Sequence, residues 1–204
     1  MNIRPIILAG SIIAFSTALY VLTAEISNGA EKEYLQIVTL NYRNGENDND
    51  GILLDLYEYS VVDNKMEEVV ELPIDSVYPV AYYDHTREKV FFSDDPYGYY
   101  YDNLYECDFE TNKIKQVTFG KNVFNDMFVV HDKMYLNVAP EYSTVMKPAI
   151  FDMDTYEITY LDAVDNDTWY TSLSYSSLTN KLLTITNSDD EMRTDRVRRV
   201  THIR

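Results

Sequence analysis

Along most of this chain apolar and polar residues alternate, and short clusters of Asp, Asn, Thr and Lys interrupt the alternation. Runs of this kind read as β-strands joined by hairpins. Strands are expected at 34–42, 52–59 and 66–71, and then in pairs. The pairs are 77–83 with 89–94, 102–109 with 113–118, 124–130 with 133–138, 147–153 with 156–161, and 169–176 with 181–187, followed by a lone run at 195–201. The tip ETNK at 110–113 puts Asn112 where a hairpin turn needs a positive φ. The chain begins differently. Residues 5–24, PIILAGSIIAFSTALYVLTA, carry no charge; only Arg4 and the amino terminus precede them, and Glu25 follows at once. Twenty such residues are about enough to cross ~30 Å of hydrocarbon as a helix. The segment 1–24 therefore reads as a signal anchor or a signal peptide, and 25–33 as a linker. The anchor is preferred, because a cleavage site ending at Ala24 would put Leu22 in a position that wants a small residue. Either way the positive end stays inside and the remainder is exported across a bacterial-type membrane.

The exported part repeats. LYEYSVVDNK at 56–65 matches LYECDFETNK at 104–113 in its Leu, Tyr, Glu, Asn and Lys, and PAIFDMDTYE at 148–157 is a third copy. A second feature keeps step: KVFF at 89–92, KMYL at 133–136 and KLLT at 181–184 each set a lysine before an apolar run. A repeat of about 44–49 residues is the spacing of four-stranded propeller blades. The fold expected is all-β: consecutive four-stranded antiparallel propeller blades over 34–204, after one N-terminal hydrophobic helix. The strands counted are three, four, four and three, 14 in all, which suggests a partial propeller, a fragment of a longer one. A small closed ring with trimmed ends is the alternative. The final unit is expected to leave Leu173, Tyr175, Leu182 and Ile185 bare, and an open edge near Val197 and Val200 invites self-association.

The pattern in LYECDFETNKIKQVTFG, an aromatic and a Cys before Asp-x-x-Thr-x-Lys and then a short apolar strand, resembles the blades of TolB-type β-propellers. The resemblance covers about residues 34–204. It implies a hairpin of structural residues holding the two outer strands of a blade, and it carries over no catalytic residue.

Composition sharpens the picture. Tyrosine, at 19 of 204 residues, is in excess, while Gly and Pro number 6 each, which suits sheet. The net charge is −17, and without residues 1–24 there remain 16 basic and 34 acidic side chains, a net of −18. Such a chain repels phosphate backbones, so nucleic acid is excluded as a partner. The lone Cys107 excludes an internal disulfide and reads as a small buried hydrophobe.

Candidate chemistry is sparse. The loop NGENDNDG at 44–51 places Glu46, Asp48, Asp50 and Gly51 as in a calcium loop, but Tyr57 stands where a bidentate Glu belongs, and Asp55 comes one residue late for the propeller form of such loops. A solvated loop is the better reading, with no metal and no cofactor expected. The stretch PYGYYYDNLY at 96–105 offers Tyr97, Tyr99, Tyr100 and Tyr101 as flat faces for a protein, peptide or glycan, or as packing between blades. His85, His131 and His202 are scattered, and Asp94 and Asp95 read as a polar strand end. Arg193, Arg196, Arg198, Arg199 and Arg204 read as charges guarding an edge strand. The function expected is a non-catalytic, membrane-anchored or exported binding protein of the cell envelope. The alternative is the propeller portion of a larger exported enzyme whose catalytic residues lie outside this chain.

Overall fold

The computed structural model describes residues 21–24, 34–43, 51–98, 101–120, 122–130, 132–140, 143, 145–161, 168–176, 178–188 and 199–203. Its described residues form strands and turns and contain no helix. The first sheet holds β1 (Val21–Ala24), β2 (Tyr34–Tyr42), β3 (Ile52–Ser60) and β4 (Lys65–Ile74). The second holds β5 (Ala81–Asp84), β6 (Lys89–Asp94), β7 (Asn103–Asp108) and β8 (Lys113–Gln116). The third holds β9 (Val123–Val130), β10 (Lys133–Ala139), β11 (Lys147–Phe151) and β12 (Ile158–Tyr160), and the last holds β13 (Thr168–Ser176), β14 (Lys181–Ser188) and β15 (Arg199–Ile203). Each strand pairs antiparallel with the next in its sheet. These are the expected sequential blades.

The first blade differs from expectation. It has four strands, because Val21–Ala24 pairs with β2 in the register Val21↔Val38 to Ala24↔Leu35. The last four residues of the apolar run are thus sheet and not helix. Periodicity alone cannot separate an apolar strand from an apolar helix. Residues 1–20 and the expected linker 25–33 lie outside the described residues.

Five hairpins share one device. Ser60, Asp84, Asp108 and Ser176 end a strand and Asp152 follows one, and each accepts the backbone N–H three residues on, from Asp63, Arg87, Thr111, Thr155 and Thr179. The next residue takes a positive φ: Asn64, Glu88, Asn112, Tyr156 and Asn180, at 51° to 63°. The side-chain acceptor fixes the turn locally, and Asn tolerates the left-handed conformation at little cost. The first and last of these hairpins read YSVVDNK and YSSLTNK, and in each the Tyr hydroxyl donates to the Asn side chain at 2.6 Å, Tyr59 to Asn64 and Tyr175 to Asn180.

Alternation assigns the two faces of the second blade. Ala81, Val90, Phe92 and Cys107 turn to the first blade and join Val38, Leu54 and Leu56. Tyr82, Phe91 and Leu104 turn to the third and join Phe124, Met134 and Phe151. Cys107 is free and buried, and burial pushes its thiol pKa up. The final blade corrects an expectation. Leu173 and Leu182, expected to be bare, are buried against the third blade with Tyr175, Phe128 and Tyr135. Ile185 stands three residues from Leu182 and so on the opposite face, where it is half-buried.

The pairing puts the tight hairpin tips of the second blade, 85–88 and 109–112, at one rim. The crossovers 75–80 and 117–122 and the link 95–102 lie at the other.

Candidate functional site

The tyrosine-rich link sits on the crossover rim. β6 ends at Asp94, and the chain turns back as the Gly98 N–H donates to the Asp95 carbonyl at 3.1 Å, with Gly98 at φ 67°. The link then meets the crossover to the third blade, where the Asp102 N–H donates to the Asn122 carbonyl at 2.6 Å. Tyr97 is 71% exposed. Tyr101 is half-buried, and its N–H donates to Asp95 Oδ2 at 3.3 Å. Tyr99 and Tyr100 lie outside the described residues. Thus one of the four expected contact tyrosines stands open, and one is anchored by its backbone.

Buried carboxylates hold this rim together. Asp94 Oδ1 accepts three backbone N–H groups, from Asp75 at 2.7 Å and from Ser76 and Asp95 at 2.9 Å each. Ser76 Oγ donates to Asp102 Oδ1 at 3.1 Å. Burial raises the pKa of Asp94 in spite of those donors, and burial, reinforced by the charges of Asp95 and Asp94, raises that of Asp102 to about 6. Tyr105, stacked on Phe92, is pushed up to about 12 by burial and by the charges of Asp94, Tyr97, Asp95 and Asp75. Asp94 and Asp95, read as a polar strand end, do stand where β6 ends, and both are buried there. Opposite-face alternation stops where the strand stops, and the turn after Asp94 brings the neighbouring carboxylates inward.

The knot ties three loops to one another, and each displays a large apolar side chain: Tyr78 from 75–80, Tyr97 from 95–102 and Phe119 from 117–122, 66%, 71% and 78% exposed. Sequence reading found only the second of these. Tyr78 lies outside any motif and Phe119 at the end of LYECDFETNKIKQVTFG, and only the pairing of strands carries them to the same rim.

The repeated Glu of the LYE motif has a different use. Glu58 and Glu106, 48 residues apart, are both buried at boundaries between blades. Glu58 Oε1 accepts Gln36 Nε2 at 3.0 Å and lies 2.7 Å from His85 Nε2 in the next blade, where His85 stacks on Tyr34. Glu106 Oε2 accepts Lys89 Nζ at 3.3 Å and the Tyr156 hydroxyl of the third blade at 2.9 Å. Arg87 adds a bridge to the third blade, donating to Asp84 at 2.8 Å and to Asp154 at 3.1 Å. These groups join blades, so His85 is a structural residue.

The loop with Glu46, Asp48 and Asp50 lies outside the described residues, but its ends are seen: the Arg43 N–H donates to the Gly51 carbonyl at 3.0 Å. Asp55, the acid one residue late, is buried in β3 and takes a hydrogen bond from Asn41. Among the described residues no three acidic, imidazole or thiol groups are placed to hold a metal ion, and no helix is long and apolar enough to cross a membrane.

No protein-family model matches this chain, and no curated protein does. Solved structures are similar to it. A nidogen/laminin complex is 12% identical, with a TM-score of 0.53, over 84% of this chain and 58% of the other. A puromycin hydrolase is 15% identical, with a TM-score of 0.50, over 75% of this chain and 23% of the other. An oligogalacturonate lyase from Vibrio parahaemolyticus is 8% identical, with a TM-score of 0.50, over 92% of this chain and 55% of the other. At such identities the likeness is one of fold, the propeller-like stacking of antiparallel sheets. The chain spans less than two thirds of the length of each of these structures.

Proposed function

We propose that this chain is an exported propeller protein of the cell envelope that binds a protein, peptide or glycan and does not transform it. The observation that carries the reading is the crossover rim of the second blade. Tyr78, Tyr97 and Phe119 stand open there on loops braced by buried hydrogen bonds. Rigid aromatic side chains supply contact area at low entropic cost. A hydrolytic reading fits this rim less well. Asp94, Asp95 and Asp102 are 9% exposed or less, and each spends an oxygen on the loops themselves. The five capped hairpins, in which the recurring Asp and Asn shape turns, support assignment to the TolB type of propeller.

The test is a titration of the exported domain against displayed peptide and glycan libraries, followed by the same titration of a Tyr97→Ala/Phe119→Ala variant. A loss of tenfold or more in affinity, with unchanged urea stability, is expected. Unchanged affinity in the variant refutes the rim as the site.

A further inference from the structure

The polar groups at the crossover rim of the second blade share one chemical bias. Its three segments, 75–80, 95–102 and 117–122, carry Asp75, Asp95 and Asp102, and Asp94 ends the strand that leads into them. The one basic residue in the three segments, Lys121, lies outside the described residues. Asp75 is exposed, and only its backbone N–H is engaged by Asp94. The negative field reaches inward: after burial, the charges of Asp94, Tyr97, Asp95 and Asp75 push the pKa of Tyr105 up to about 12. A second observation concerns a neutral acceptor. Asn103 opens β7 directly after Asp102 and is 5% exposed. Its Nδ2 donates to the Gly120 carbonyl at 3.3 Å, but its Oδ1 accepts no hydrogen bond among the described residues. Buried amide oxygens are ordinarily met, because an unmet one loses its hydration without return. Its neighbour Gly120 is exposed and has no side chain to close the amide off from a ligand.

We infer that the ligand of this rim is a basic peptide segment, one that carries Arg or Lys between apolar side chains. The inference rests on the rim being the binding surface and adds the class of what binds there. The apolar side chains of the peptide lie on Tyr78, Tyr97 and Phe119, which stand exposed on three separate loops and so suit an extended chain. Its cations pair with Asp75 at the surface and are drawn to the faces of the same rings. One of its N–H groups meets Asn103 Oδ1. Carboxylates, an unmet carbonyl oxygen and ring faces all favour a donor that is positively charged. A neutral glycan gains nothing from the carboxylate field, and an anionic polymer is repelled by it.

The experiment titrates the full chain in a calorimeter, at an ionic strength of about 0.15 M, with three probes: a short peptide of alternating Arg and Leu, the same peptide with Gln for Arg, and a chitin oligosaccharide. The Arg peptide is expected to bind about tenfold or more tighter than the Gln peptide. Asp75→Asn weakens it by about threefold, the size of one exposed ion pair. Asn103→Leu, confirmed as folded by its urea midpoint, does the same, and if it fails to fold Asp75→Asn still decides. Glu67→Gln/Glu68→Gln removes two exposed charges from β4, away from the rim, and leaves the affinity unchanged. No binding of the Arg peptide, or equal affinity for the two peptides, overturns the ligand class. So does a loss in Glu67→Gln/Glu68→Gln as large as that in Asp75→Asn, which would place the attraction in the overall charge. Tighter binding of the oligosaccharide, lost in Tyr97→Ala/Phe119→Ala, overturns the peptide ligand but leaves the rim as the site. Binding that Tyr97→Ala/Phe119→Ala does not change for any probe overturns the rim reading itself.

Discussion

Gln36 shows how far a single residue can be read from sequence. It stands in an alternating strand, where a polar residue is ordinarily assigned to solvent, yet it is 1% exposed. Its side chain spans to the second blade, donating to the Tyr83 carbonyl and accepting the Tyr83 N–H, both at 2.8 Å, while it also donates to Glu58. Gln36→Leu removes all three bonds and leaves both backbone groups of Tyr83 unmet in a buried place. At about 1–3 kcal/mol for each unsatisfied group, an overall loss on the order of 2–4 kcal/mol is expected in urea denaturation. A loss under ~1 kcal/mol would mean that water replaces the amide. The LYE glutamates teach the same lesson. Their recurrence was visible in the repeat, but the partners of Glu58 and Glu106, His85 and Tyr156, lie 27 and 50 residues away. Local pattern holds no record of such distances. Turn chemistry, in contrast, is local, and Asn112 adopts the expected positive φ. Glu88 has φ 52° with a side chain ill suited to it. Glu88→Gly is accordingly expected to stabilise the protein by roughly 0.5–1 kcal/mol, less the backbone entropy that Gly adds to the unfolded chain. A higher thermal midpoint checks this, and a lower one shows that the Glu side chain contributes more than the turn strain costs.

Among the elements, the strands and their order were legible because a period of two and punctuating Asp, Asn and Lys need no tertiary information. The strand that escaped is β1. Its residues, VLTA, continue an uncharged run, and they become a strand only by pairing with β2, which begins ten residues after β1 ends. That strand yields a measurement of its own. A chain beginning at Val21 and one beginning at Glu25 differ only by β1. Loss of a paired inner strand is expected to lower stability by on the order of 2 kcal/mol or more. Equal urea midpoints would show that β1 contributes nothing to the blade. Edges behave differently from inner strands. β4 is ten residues long and carries Lys65, Glu67, Glu68 and Glu71 exposed along it, a guarded edge. Beyond β15 no further strand stands among the described residues. Its edge is where self-association is expected. The arginines at 196, 198 and 199 and the overall charge of −17 oppose it at low salt and are screened at high salt. Sedimentation at two salt concentrations tests this, and a clean monomer at both refutes it.

For the whole molecule, burial of acidic groups predicts the direction of the pH dependence. Asp94, Asp102 and Asp126 all have pKa values raised in the folded state, in each case chiefly by burial. A carboxyl whose folded pKa lies above its unfolded value binds its proton more readily when folded. Its stabilising contribution is complete below the unfolded pKa and is lost as pH rises through the folded one. For Asp102 that window runs from about 4 to about 6. Between pH 8 and pH 5 this residue alone should add roughly 1.4 kcal/mol to folding stability, the linkage value for a pKa moved from 3.8 to about 6. Asp94 and Asp126 act in the same direction, and protonation also relieves the self-repulsion of a chain with 34 acidic side chains. Asp108 and Asp152 act oppositely. Backbone hydrogen bonds at the hairpins hold their pKa values below the ordinary carboxylate range, so their contribution is present above the unfolded pKa and disappears only below about 4. Stability should therefore rise from pH 8 to a maximum near pH 4–5 and then fall. Urea denaturation at pH 8, 6.5 and 5 gives the slope, and Asp102→Asn gives its origin. The amide keeps an oxygen for the Ser76 hydroxyl at the crossover but removes the titration. The variant should gain less on acidification than the wild type, by about 1.4 kcal/mol between pH 8 and pH 5. An unchanged slope would place the pH dependence in the overall charge and not in the buried knot of the crossover rim.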